Sequence, residues 1–364
     1  MTTFKSLLYL TLLFDFYALN ASARESIIPG SRYTSGRSAA VGDAFLPLGE
    51  DVGSGLFSNP ANLAKIRKSE LEPINLSLYG NTGYVAATGI NYINPFTLSS
   101  FAPALAKNPG TAAGAGASAM MTFGMPYFDI GILYQSQVSA VQNSSGTITY
   151  RSLYQFIPSL GTGFRLFDGF LRIGYSAQWL NSATGTATVA NTSSIGYDQN
   201  LNQGSALSNT LGIALTAPVV FLPTVNCVVR NLFTATYYPV HFIPLVSSPS
   251  AGLPFVEPMS IDVSFSIQPR LGRGTYLNLV VEDRDATNAS NVAPLGHLAL
   301  GGELSFGDKF VLRGGWSGGY PSAGIALRKR GSEFSLTYYS EEIGTGYLSQ
   351  ADTRFMMQYQ IRAF

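Results

Sequence analysis

Ile261-Asp262-Val263-Ser264-Phe265-Ser266-Ile267-Gln268 alternates apolar and polar side chains without a break. A period of two is the period of a β-strand, so one face of this segment is greasy and the other is wet. The same pattern runs through Leu171, Ile173, Tyr175, Ala177 and Trp179, against Arg172, Gly174, Ser176 and Gln178. It returns at Leu298, Leu300, Leu304 and Phe306, against Glu303 and Ser305. Strands of this kind recur down the chain with almost no helical periodicity between them. That is the signature of a transmembrane β-barrel, with apolar residues toward lipid and polar residues toward the lumen.

Composition agrees. Only 12% of the 364 residues are charged and 46% are hydrophobic. Soluble domains carry about 25% charged residues, and charge is costly on a lipid-facing wall. Beyond residue 20 there is no apolar run of about 18 residues, so no transmembrane helix is expected and a closed barrel is the remaining way to span lipid. The net charge of +1 gives no argument for nucleic acid. The single Cys227 excludes an internal disulfide.

Lys5, the apolar stretch Ser6 to Leu19 and the small residues Ala21-Ser22-Ala23 read as a cleavable secretory signal over residues 1–23. Residues 24–70 hold several glycines, mixed charges and no period-two run, and read as a plug preceding the barrel of 71–364. Leu63 to Lys68 has the look of a helical turn. Short turns are expected at Gly124 to Pro126, Asp168-Gly169, Pro218 to Thr224, Gly272, Gly307-Asp308 and Arg330-Gly331. Longer connections are expected near 93–113, 139–150, 181–206, 239–257, 285–294 and 342–352, with a shorter one at Ser317 to Tyr320. Short turns on one side and long loops on the other match the outer-membrane pattern. Counting gives about fifteen strands. An even count of about fourteen follows if Gly83 to Tyr92 is the first wall strand and Leu71 to Tyr79 precedes the barrel. Phe364 falls on the polar phase of the last strand, and a bulge is expected there.

A barrel this wide leaves a lumen that its own side chains do not fill, so it is either open or plugged. Inward-phase charged residues are Arg165, Arg172, Asp262, Glu282, Glu303, Arg313, Glu333, Arg354 and Arg362. They either pair across the lumen or meet a ligand headgroup. Tyr127, Phe128, Phe167, Phe170, Trp179, Phe310, Trp316 and Tyr338 fit interfacial girdles.

The run Gly36-Arg37-Ser38-Ala39-Ala40-Val41-Gly42-Asp43-Ala44-Phe45, followed by Glu50-Asp51 and by Phe57-Ser58-Asn59-Pro60-Ala61-Asn62, resembles the plug of the long-chain fatty acid transporter (FadL) superfamily of outer-membrane proteins. Asn62 stands where that superfamily often has glycine. Leu298 to Glu303, Leu312 to Trp316, Ala323 to Leu327 and Phe334 to Tyr339 resemble its closing strands, and also those of PorV-like proteins of type IX secretion. The resemblance implies a Gram-negative outer-membrane protein that passes hydrophobic molecules such as fatty acids, gated near Phe57, Ser58, Asn59, Pro60 and Ala61. It implies no cofactor. The partners expected are membrane lipid and a hydrophobic small molecule, with a homo-oligomer or a partner protein as further options. The alternative is a structural or secretion-associated barrel that binds proteins or traps lipid.

Enzyme signals are weak. Gly315-Trp316-Ser317-Gly318-Gly319 fits G-x-S-x-G, but it ends a strand in a hairpin series, where the nucleophile elbow needs a strand turning into a helix. His241 and His297 carry no partner pattern. The reading is therefore of a protein that is not an enzyme.

Overall fold

A computed structural model describes residues 33–89, 93–190, 199–240, 245–246, 249–307, 309–342, 347–348 and 351–363. The signal segment, residues 24–32, His241 and Phe364 lie outside the described residues.

Fourteen antiparallel strands close into one barrel. They are β1 (Glu70–Asn81), β2 (Ala113–Met125), β3 (Phe128–Gln142), β4 (Thr147–Leu166), β5 (Leu171–Ala190), β6 (Asn202–Thr216), β7 (Thr224–Arg230), β8 (Ser260–Ile267), β9 (Thr275–Asp283), β10 (Leu298–Phe306), β11 (Phe310–Ser317), β12 (Tyr320–Lys329), β13 (Ser332–Glu342) and β14 (Ala351–Ala363). A three-residue segment, Arg270–Gly272, adds one short pairing at the β8–β9 turn. Closure is direct: Leu78 of β1 pairs with Met357 of β14. With no free edge, every strand finds two neighbours, as a lipid environment requires.

The alternation that opened the reading is visible in space. Val263 and Phe265 stand exposed on the outer wall, while Asp262 and Ser264 are buried inside. Outward residues on the other strands follow suit, among them Ile132, Leu160, Ile213, Leu279, Leu312, Leu336 and Tyr359. This apolar belt on a closed barrel is a lipid-facing surface.

Two expectations are corrected. Leu71 to Tyr79 lies in the wall, as part of β1, and the described part of the expected strand Gly83 to Tyr92, residues 83–89, is not a strand. Helix α1 occupies Thr82–Thr88, with the Asn81 side chain accepting from the Tyr84 N–H at its start. The misreading has a physical origin at Pro73. Proline has no N–H, and β1 shifts register against both neighbours between Leu71 and Asn75, a bulge that breaks the alternation. The second correction concerns 139–150 and 181–206, expected as long loops. β3, β4 and β5 run well into these ranges, and residues 143–146 alone join β3 to β4.

Those strand ends project past the belt on the loop side. Ala113, Val138, Ala140, Ile148, Tyr150 and Val189 there share the phase of the lipid-facing residues yet are buried. Their cover comes from the β1–β2 connection, above all Phe101, Ala102, Ala104 and Leu105 of helix α2 (Leu98–Leu105). Beyond the lipid an apolar outer face would meet water, so the connection folds back over it.

Segment 33–66 lies inside the barrel against its inner wall. It contains helix α3 (Gly36–Ala40), helix α4 (Val52–Phe57) and a 3-10 turn over Pro60–Lys65. Ser35 and Asp51 cap the two helices through capping boxes closed by Ser38 and Ser54.

Candidate functional site

The plug meets the wall through two contrasting surfaces. One is apolar. Val52, Leu56, Phe57, Leu63 and Ile66 pack on Met120, Leu133, Ile157, Leu180 and Ala206, one inward residue from each of β2 to β6. A lumen wall is ordinarily polar, so an apolar inner arc five strands wide is a departure. Glycines bring the plug close to it. A Cβ on Gly174 of β5 would stand 1.9 Å from the Pro60 carbonyl oxygen, and one on Gly212 of β6 would stand 2.4 Å from Oδ1 of Asn59. No side chain fits in that space.

Asn59-Pro60-Ala61 is the pivot of this contact. Asn59 is fully buried. Its Oδ1 accepts from the Ala61 N–H at 3.1 Å, and its Nδ2 donates to the Leu46 carbonyl at 2.9 Å and to Asn226 of β7 at 3.1 Å. One side chain thus ties the turn to itself, to the rest of the plug and to the wall. Phe57 is buried in the apolar cluster, and Ser58 closes α4 through its N–H to the Ser54 carbonyl.

The other surface is ionic. Arg37 of α3 donates from Nε and Nη2 to the two oxygens of Glu303, at 2.8 and 2.7 Å. Arg313 joins Glu303 to Glu333, at 2.8 Å each, and Arg328 reaches Glu333 at 2.6 Å. Burial alone would lower the Arg37 pKa, but Glu303 and Glu50 outweigh it and hold the guanidinium above its ordinary value. Glu282 accepts from the Leu46 N–H at 3.0 Å.

Of the nine inward-phase charged residues read from the sequence, the fold brings Glu303, Arg313 and Glu333 into one network and sets Glu282 against the plug. Arg165 and Arg172 sit elsewhere, paired across β4 and β5 at the turn-side end of the apolar arc. Arg165 donates to the Asp168 carbonyl at 2.6 Å, and Arg172 donates from Nη2 to Thr216 at 2.9 Å. The Nε of Arg172 is buried with no hydrogen-bond partner. Lys65, at the end of the 3-10 turn, donates to the carbonyls of Pro47 and Gly49 at 3.0 and 2.6 Å. Burial first, and the charge of Arg172 second, lower its pKa to about 7.

Sequence reading missed Arg37 and the inward apolar residues of β2 to β6. A signal for the latter existed. Ile130-Gly131-Ile132-Leu133-Tyr134, Phe156-Ile157-Pro158 and Trp179-Leu180 lack the polar alternation of Ile261 to Gln268.

At the G-x-S-x-G stretch, the Ser317 hydroxyl accepts from Arg284 at 2.6 Å. The two ring nitrogens of His297 face the carbonyls of Arg284 and Val292. Ser317 and His297 are therefore not paired. Among the described residues no three His, Cys, Asp or Glu side chains group to hold a metal ion.

No protein-family model matches the sequence, and no curated protein matches it. Solved structures do. The Pseudomonas putida toluene transporter TodX aligns over 93% of this chain and 99% of its own, at 8% identity and a TM-score of 0.53. A Pseudomonas aeruginosa FadL homologue aligns over 90% and 97%, at 11% identity and a TM-score of 0.46. The first shows a shared fold; the second is too distant to argue from. The chain shares the barrel fold of TodX, and its apolar belt is a lipid-facing surface.

Proposed function

We propose that this protein passes hydrophobic molecules, with long-chain fatty acids as the substrate class, across the outer membrane along the inner face of β2 to β6. The observation that carries the reading is the apolar arc of Met120, Leu133, Ile157, Leu180 and Ala206, covered by plug residues Leu56, Phe57 and Leu63. A small shift of Phe57, Ser58, Asn59, Pro60 and Ala61 away from Gly174 and Gly212 uncovers the apolar arc. The ionic contact at Arg37 stays as the hinge. Passage is passive, since it needs only that the substrate find the track more favourable than water.

Two features support a substrate with an acidic head. Arg165 and Arg172 stand at the turn-side end of the track, and the Nε of Arg172 lacks a partner. A carboxylate there would complete its hydrogen bonds. Beside the track the β4–β5 ladder omits Ile157 and Pro158, resuming at Ser159 and Gln178. Pro158 has no N–H to give, so the wall is weakest where a hydrophobic molecule would leave it sideways.

In cells lacking their own uptake route, expression should support accumulation of a labelled long-chain fatty acid. Leu180→Asp should abolish that accumulation without loss of the inserted barrel. Equal accumulation by the Leu180→Asp variant would refute the reading.

A second reading, a secretion-associated barrel that docks partner proteins, is favoured by one feature. The turn-side tips carry Phe167 and Val220, 77% and 76% exposed, beside Phe221. Stable co-purification of a periplasmic protein, lost in Phe167→Ser with Val220→Ser, would favour it.

A further inference from the structure

The ionic side of the plug borders two voids. One, of about 10 Å³, is lined by Asp43, Arg230, Asp262, Glu282 and Arg284. The other, of about 20 Å³, is lined by Arg37, Asp51, Asn75, Glu333 and Arg362. Each holds on the order of one water, which occupies about 10–15 Å³ by this measure. Phe45 and Ser58 line both.

The charged lining continues beyond each void. Arg284 donates to Ser317, the loop-side end of β11, and reaches toward Asp43, whose side chain is 28% exposed. At the other end Asp51 pairs with Arg362 of β14 at 3.4 Å, near the turn-side rim. The charged lining is mixed in each void: Asp43, Asp262 and Glu282 with Arg230 and Arg284 in the first, Asp51 and Glu333 with Arg37 and Arg362 in the second. Apart from Phe45, which lines both voids, and Phe57 and Tyr33 in the second, the lining is polar, charged or glycine. The Arg37 guanidinium stands 5.8 Å from the Phe45 centroid.

We infer that this side of the plug is a second path, conducting water and small inorganic ions while the plug stays seated, and that the Phe45 ring is its constriction. The mixed lining compensates part of the hydration that a small ion gives up, whichever its sign. Voids of single-water size exclude sugars and lipids. The path borders the plug with Asn75 of β1, Arg230 of β7 and residues of β8, β9, β13 and β14, and it shares Phe57 and Ser58 with the plug face of the hydrophobic track.

The test is the ionic conductance of the full-length protein in planar bilayers in potassium chloride, with trisaccharide-driven liposome swelling alongside. Phe45→Ala should raise ion conductance several-fold and leave sugar entry at the wild-type level. Phe45→Trp should lower conductance. A Phe45→Ala conductance equal to wild type would overturn the inference. So would a new conductance that also admits the sugar, because that reports a displaced plug. If Phe45→Ala fails to insert, Phe45→Trp decides: unchanged conductance rejects the path. Neither outcome depends on fatty acid uptake, so the two proposals fail separately.

Discussion

Arg37 of the plug and Glu303 of β10 face each other through two parallel hydrogen bonds, 2.8 and 2.7 Å long, in a buried site. A paired guanidinium and carboxylate of this geometry define a direction as well as a distance. Arg313 holds the far side of Glu303, so the wall presents a preformed socket and the plug supplies the pin.

Removing the pin should loosen the plug. Breaking one member of a buried ion pair costs about 3–5 kcal/mol, because the remaining charge is left uncompensated. Arg37→Ala should therefore produce large conductance openings and tryptic cleavage within 33–66. Arg37→Met combined with Glu303→Met, which removes both charges, should recover part of the loss.

Gly174 tests the apolar contact. A side chain there meets the Pro60 carbonyl oxygen. Gly174→Val should leave barrel assembly intact while the plug fails to seat, at a cost of about 1–3 kcal/mol for overpacking. Heat-modifiability on a gel reads the barrel, and antibiotic sensitivity of the cells reads the leak.

Arg172 separates head from tail. A hydrogen bond to a charged group is worth about 1.5–3 kcal/mol. Arg172→Gln should weaken binding of a long-chain fatty acid by roughly ten- to a hundredfold. Binding of the matching neutral alcohol should change little. Equal losses for both ligands would remove the headgroup role.

Lys65 makes plug seating depend on pH. Its pKa is lowered to about 7 in the seated plug, against about 10.4 in water. Between those values the released plug binds the extra proton, so seating strengthens as pH rises through that window. Below about 7 both forms are charged and the penalty is constant. A neutral amine keeps two N–H groups, enough for both Pro47 and Gly49, so deprotonation costs neither hydrogen bond. Protease protection of 33–66 should rise from pH 7 to pH 10 in wild type, and Lys65→Met should flatten that rise.

The wall was legible because lipid imposes a period of two. Ile261 to Gln268 showed both faces of β8, and the same phase separated Glu303 and Arg313 from their lipid-facing neighbours. Legibility failed where another contact replaced lipid or water. Pro73 broke the phase of β1 and left a wall strand looking like a leader. Ile148 and Tyr150 kept their outward phase but were buried under Phe101 and Leu105, a tertiary cover that local pattern does not encode. Leu133 and Leu180 faced inward yet were apolar, since the plug rather than water lies against them. The Asn59-Pro60-Ala61 turn was recognisable as a motif. Its seat on Gly174 and Gly212 required the fold, because those residues are more than a hundred positions away.

The central claim is that hydrophobic substrate travels inside the β2 to β6 arc. A long-chain fatty acid carrying a diazirine, photolysed with the reconstituted protein and mapped by peptide mass spectrometry, tests it most directly. The account predicts adducts on the inward residues Leu133, Ile157 and Leu180, suppressed by excess unlabelled fatty acid. Adducts confined to Ile132 and Leu160, which face lipid on the same strands, would contradict it.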